Sequence, residues 1–363
     1  MRICSIIVMC ITLLNCSGME EKKISAKPEI TYTEIQRILG DTLFIGVSDI
    51  EVRENGNVIV SEVMRGVVTE LSSDGSFIRR IGRQGDGPGE FRRPWMIEMI
   101  GDSLFLFDNL NSRLNVYGKS GEFLQSVPTE YSLSNDLHKI EEGFLNINYD
   151  MFNADGESVY SVLDEEFKKV DVSKITLENI LGSYYRPINK TMLFTDAMHS
   201  AKTSNATFLL TPQLYKGKIY EYTLALPEGL SLSDSLTGLP VDELYYESDN
   251  FFDINAYDPE KRDGINIRFK SLSLGLFVQV DGKVVHFVMK DNEEVREIGV
   301  ELFGADKNFL GYKPIKTDST LYDDDRMKWS FIKAFNGKDT YYTNAVDESG
   351  EAEIVVFRLQ IEG

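Results

Sequence analysis

Apolar residues in this chain come in short runs cut by Gly, Asn, Asp and Ser, and not in long stretches at helical spacing. Val58-Ile59-Val60 behind Gly56-Asn57, and Leu104-Phe105-Leu106-Phe107 behind Asp102-Ser103, predict β-strands bounded by turn residues. Each is followed by a second strand (Gly66 to Leu71; Arg113 to Tyr117), a polar turn holding Gly75 or Gly121, and a third strand (Phe77 to Ile81; Phe123 to Val127). The two segments repeat each other: Val60 and Leu106, Glu62 and Asp108, Gly75 and Gly121, and Phe77 and Phe123 each lie 46 positions apart. A self-similar unit of roughly 40 to 50 residues built from short strands predicts a β-propeller blade.

The repeats are joined by Gly82-Arg83-Gln84-Gly85-Asp86-Gly87-Pro88-Gly89-Glu90-Phe91-Arg92-Arg93-Pro94. With Asp108 to Arg113 and Gly121-Glu122-Phe123, this segment resembles the NHL repeat, and the chain is similar to the six-bladed NHL- or TolB-like propeller lipoproteins of Bacteroidetes. The resemblance implies that the Gly-rich segment crosses from the outer strand of one blade to the inner strand of the next. Phe91 would then wedge between blades and Pro94 would open the inner strand, where a missing N–H is tolerated. Asp108 and Arg113 are expected to fix turns within the blade.

Fainter units follow. Gly143 to Tyr149, Tyr160 to Leu163 and Phe167 to Val170 predict a third blade; Thr191 to Thr195, Ala206 to Leu210 and Lys218 to Leu224 a fourth. Phe251 to Asn255, Phe269 to Val280 and Val284 to Met289 predict a fifth, and Trp329 to Phe335, Thr340 to Asn344 and Glu353 to Leu359 the last. The expectation is an all-β, six-bladed propeller of four-stranded antiparallel blades over residues 29–363. A ring left open would expose a strand edge. The spare strand Glu29 to Ile35 is therefore expected to pair beside Glu353 to Leu359 and close it.

The first 15 residues carry one positive charge, Arg2, and an apolar run from Ile6 to Leu14, which is too short for a membrane span of roughly 20 residues and reads as a signal peptide. Leu13-Leu14-Asn15-Cys16 resembles a lipobox, implying acylation of Cys16, with residues 16–28 as a tether and the outer membrane as the location, the cell surface included. Cys4 and Cys10 lie in this leader and Cys16 directly follows it, so the propeller contains no cysteine and no disulfide framework.

A net charge of −20 disfavours nucleic acid and anionic lipid surfaces, leaving membrane contact to the lipid anchor alone. Asp249, Asp253 and Asp258 lack the spacing of a calcium loop. No serine elbow or phosphate loop is present, and no cofactor, metal or catalytic residue is assigned. His138 is placed at the start of an inner strand and His199 near another, whereas His286 falls in a second strand; the three are not expected to meet.

What remains is a binding or scaffolding module, with an envelope lyase or hydrolase as the alternative, which a divalent metal in the purified protein would favour. The candidate surface follows the predicted blade crossings: Arg92-Arg93-Pro94-Trp95, Tyr185-Arg186-Pro187 and Arg326-Met327-Lys328-Trp329. If these segments open inner strands, Arg92, Arg93, Trp95, Arg186, Arg326 and Trp329 ring one mouth of the channel. Such a funnel suits an anionic glycan, a peptide or another envelope protein.

Overall fold

The computed structural model describes residues 28–38, 44–129, 134–148, 158–176, 179–180, 198–241, 270–291, 296–317, 322–323, 326–327, 329–346 and 352–362. Six four-stranded antiparallel sheets follow one another along the chain. Blade 1 is Val47–Val52, Val58–Glu62, Val67–Leu71 and Phe77–Ile81, running from inside to outside. Blade 2 repeats it with Pro94–Ile100, Ser103–Asp108, Arg113–Tyr117 and Phe123–Pro128. The 46-residue offset reaches the fine structure: Glu62 pairs with Val67 as Asp108 pairs with Arg113, and a bulge precedes both Leu71 and Tyr117.

Blade 3 is Ser134–Ile140, Gly143–Asn148, Tyr160–Leu163 and Lys169–Val170. Blade 4 is Met198–Lys202, Thr207–Pro212, Lys218–Ala225 and Gly229–Thr237. Blade 5 is Ser271–Val278, Val284–Asp291, Arg296–Phe303 and Phe309–Thr317. In blade 6, Trp329–Phe335, Thr340–Val346 and Ala352–Glu362 are completed by Glu29–Ile38, which pairs with the C-terminal strand from Glu29↔Glu362 to Ile38↔Ile354. The N-terminal strand thus closes the ring.

Two expectations need correction. The inner strand of blade 5 is Ser271–Val278, not the run from Phe251 to Asn255, which lies outside the described residues. The inner strand of blade 4 is Met198–Lys202; Thr191 to Thr195 is likewise outside them. Met198–Lys202 holds no apolar run that would reveal it, whereas Ser271–Val278 falls within the predicted run Phe269 to Val280 and takes the inner place in the blade.

The core is divided among the blade interfaces. One apolar cluster lies at each: Ile59, Val68 and Phe91 with Leu104 and Leu106 between blades 1 and 2, and Ile50, Val58 and Val60 with Tyr342 and Ile354 between blades 6 and 1. The four other interfaces are filled likewise. Second strands are covered on both faces, so Val58–Glu62 is buried throughout, whereas the outer strand Phe77–Ile81 is exposed at three of five positions. Phe91 is fully buried at the wedge position and Pro94 opens the inner strand. Asp108 is fully buried and accepts the backbone N–H groups of Arg92 and Arg93 (3.0 Å to the latter), while Arg113 donates to the Asp86 and Glu90 carbonyls. These two side chains therefore tie down the Gly-rich crossing.

Candidate functional site

Each inner strand borders the central channel, where its outermost backbone groups have no neighbouring strand and need other partners. The partners come from the preceding blade. Asp49 of blade 1 accepts the N–H of Ile97 in blade 2 at 2.9 Å, and Glu51 accepts that of Met99. Glu98 of blade 2 accepts from Leu137 in blade 3, and Asp136 of blade 3 accepts from Ser200 N in blade 4 at 3.1 Å. His199 of blade 4 meets the Ser273 carbonyl of blade 5 through Nε2 at 3.2 Å, and Lys333 of blade 6 donates to the Ser48 carbonyl of blade 1 at 2.7 Å. Between blades 5 and 6 the backbones themselves approach: a Cβ on Gly275 would lie 3.0 Å from the Ile332 carbonyl oxygen.

Bulges set the register of this belt. They fall near the start of the inner strands at Val47/Asp49, Pro94/Met96 and Ser134/Asp136. Asp49 and Asp136 follow the bulge directly, and Glu51, Glu98 and His138 lie two residues further on. Two polar tiers result, because side chains two apart on a strand share a face.

The electrostatics follow from enclosure. These side chains are half-buried by area because they border the channel, yet protein surrounds them. Burial pushes Asp49 up to about 6 against the pull of Lys333, and pushes Asp136 up to about 7, with the Ser200 hydrogen bonds opposing and Asp49 assisting. Glu51 and Glu98 are raised well above the ordinary range by burial and by their carboxylate neighbours. Burial lowers His138 to about 4 and His199 to about 3, and lowers Lys333 as well. The acids of the belt therefore keep their protons to higher pH than free carboxyls do, while both imidazoles are neutral near neutral pH.

Two of the three histidines, His199 and His286, share a partner residue. His138 Nε2 lies 2.6 Å from Ser200 Oγ, which donates to Asp136 at 2.5 Å. His199 and His286 both meet Ser273, the first at its carbonyl and the second at Oγ, 2.9 Å from Nε2. His286 Nδ1 is 3.2 Å from Glu301, whose carboxylate also accepts from Tyr215 and from Leu239 N. Ser273, His286 and Glu301 have the connectivity of a nucleophile, base and orienter, but all three are fully buried. The set joins blade 4 to blade 5. Among the described residues, no three His, Cys, Asp or Glu side chains converge to hold a metal ion.

Two of the three sequence-selected segments do open inner strands, those of blades 2 and 6. Arg92 is exposed and pairs with Asp86; Arg93 is half-buried. Trp95 packs against the apolar cluster between blades 2 and 3. Arg326 lies in the short strand Arg326–Met327 and Trp329 begins the inner strand of blade 6. Arg186 and Cys16 are outside the described residues.

Sequence reasoning missed the apolar residues beside Arg92 and Arg93. Ile45, Met64 and Leu110 are 52%, 72% and 61% exposed. Their loops adjoin those of the arginines: Val63 N donates to Gly46 O at 2.9 Å, a Cβ on Gly66 would meet the Arg92 carbonyl, and Asn109 N donates to Arg93 O at 3.1 Å. Also missed were Asp49, Glu51, Glu98, Asp136 and Lys333. A signal was present in the alternation Asp49-Ile50-Glu51 and Asp136-Leu137-His138, with acids or imidazole at every second place.

A search among curated proteins finds no match to this sequence. Among solved structures, an inferred exported protein of Bacteroides fragilis NCTC 9343 superposes with a TM-score of 0.56 at 12% identity, over 93% of this chain and 96% of that one. A duf4221 family member from Bacteroides vulgatus does so with a TM-score of 0.57 at 9% identity, over 92% and 99%. At such identities the likeness is one of fold. The profile of family DUF5128, a 6-bladed beta-propeller, matches residues 38–223, which include blades 1 to 3 and their crossings. By that match, which spans half of its length, and by its six four-stranded blades, this chain belongs to the 6-bladed beta-propeller family DUF5128.

Proposed function

We propose that this chain is an NHL- or TolB-like envelope lipoprotein, anchored through Cys16, that binds an anionic glycan, a peptide or a partner protein at the channel mouth where the inner strands begin. The observation that carries the reading is the lip of adjoining loops that holds exposed Ile45, Met64 and Leu110 together with Arg92 and Arg93. It sets exposed aliphatic side chains beside guanidinium groups on a chain of net charge −20. Guanidinium forks suit carboxylate or sulfate groups, and an exposed methionine adapts to varied apolar shapes. The leader, Cys16 and the exported description of the Bacteroides fragilis neighbour support an envelope location.

A glycan and peptide array read at two salt concentrations tests the reading. Arg93→Ala and Trp329→Ala are each expected to abolish a hit at unchanged melting temperature. A hit that survives both variants places the site elsewhere.

A second reading, an envelope lyase or hydrolase, is favoured by the proton-holding carboxyls of the belt, which have the acidity of general acids near neutral pH. It stands second because the belt acids are already engaged with backbone N–H groups of the next blade.

A further inference from the structure

The outer strands of blades 6, 1 and 2 run head to tail around the rim. At one junction Gly75, in the turn before Phe77–Ile81, packs on Ile38 at the end of Glu29–Ile38. At the next, Arg79 Nη2 donates to the Lys119 carbonyl, in the turn before Phe123–Pro128, at 3.0 Å. Along this arc Ile35, Phe77, Ile78, Phe123 and Leu124 are 46%, 50%, 42%, 38% and 52% exposed. Among the described residues, the other outer strands expose one large apolar side chain, Leu232 of blade 4. Arg80 is exposed between Ile78 and Ile81, and Arg83 follows the strand with its side chain 80% exposed.

We propose that this arc rests on the surface of the lipid bilayer that carries the chain's own anchor. The proposal builds on the reading of Cys16 as acylated. What identifies the occupant is where the N-terminal segment joins the fold. Residue 29 begins the first strand of the arc, so Cys16 lies 13 residues from it, a reach of at most roughly 45 Å. An acyl chain at Cys16 holds blade 6 and its neighbours beside the membrane and leaves blade 4 across the ring. The contact is interfacial, since the open backbone edge of an outer strand cannot enter hydrocarbon, whereas phenylalanine and isoleucine side chains can insert at headgroup depth. Arg80 supplies a local cation for phosphate groups, beside Arg83 in its exposed pair with Glu90, on a chain whose net charge of −20 would otherwise oppose approach.

The test uses the acylated full-length product, in which the only native cysteine left after leader removal is the acylated one. Phe77→Cys, Leu124→Cys and Leu232→Cys are each labelled with an environment-sensitive fluorophore. They are reconstituted in phosphatidylethanolamine–phosphatidylglycerol vesicles containing a nitroxide-labelled lipid. Quenching several-fold stronger at 77 and 124 than at 232 is expected. Vesicle-bound protein with equal quenching at the three positions overturns the docking and leaves the anchor standing. A blue shift at 77 and 124 without quenching, growing with protein concentration, assigns the arc to a second copy and also overturns it. A product without acyl chains that stays off the vesicles overturns both readings together.

Discussion

Lys333 Nζ donates to the backbone carbonyl of Ser48 across the junction of the last blade and the first, at 2.7 Å. The contact closes the polar belt inside the ring as the pairing of Glu29–Ile38 with Ala352–Glu362 closes the sheet outside it. Lys333 is also the cation that draws Asp49 back toward ionisation.

Replacing it by an apolar chain of similar length leaves a channel carbonyl without this donor. Lys333→Met is expected to lower stability by about 1–3 kcal/mol. The check is a urea titration in which the midpoint falls while the slope is kept; an unmoved midpoint would show that the belt does not hold the ring.

Asp108 holds the crossing between blades 1 and 2 through two backbone N–H groups. Asp108→Ala strands both, and leaves Arg113 without the carboxylate 3.8 Å away. A loss of about 2–4 kcal/mol is expected, because buried donors lose their acceptor. Amide exchange at Arg92 and Arg93, followed by NMR, should accelerate in the variant. Unchanged protection there would mean that the turn is held by other contacts.

The belt also sets a pH dependence. A carboxyl raised in the folded state binds a proton that the unfolded chain releases, so its stabilisation is full below the unfolded value and disappears as pH rises through the folded one. For Asp49 and Asp136 that loss runs from the unfolded value of 3.8 up to about pH 6 and about pH 7, and Glu51 and Glu98, raised well above 4.5, lose theirs upward from that value. His138 and His199 act in the opposite sense, losing their contribution as pH falls from 6.5 toward about 4 and 3. The carboxyls outnumber the imidazoles in the same window, so the belt favours folding increasingly as pH falls from about 7 to about 5. Glu70 and Glu301, both held low, withdraw their stabilisation only below the unfolded value of 4.5. Urea midpoints at several pH values check this, with Glu51→Gln/Glu98→Gln as the comparison. The double variant needs no proton at those sites and is expected to show a shallower slope between pH 5 and 7; an equal slope would remove these two carboxyls as its source.

By itself the sequence determined the repeating unit, the blade crossing and the ring closure. Second and third strands are sandwiched between neighbouring blades, so they must be apolar. Runs such as Val58-Ile59-Val60 and Leu104 to Phe107 therefore declare themselves, and Asp108, Phe91 and Pro94 mark the crossing by position alone. Only the tertiary structure decided the inner strands of blades 1, 3 and 4 and the site. Val47–Val52, Ser134–Ile140 and Met198–Lys202 carry acids, histidines and serine, because one edge of each borders the channel and its polar side chains must serve the next blade's backbone. Local patterning is silent about a partner in another blade: Asp136 and Ser200 are 64 residues apart, and Lys333 and Ser48 are 285. The lip was half legible for the same reason. Arg92 and Arg93 stand out on an acidic chain, whereas Ile45, Met64 and Leu110 come from separate turns and crossings that only the closed ring brings beside them.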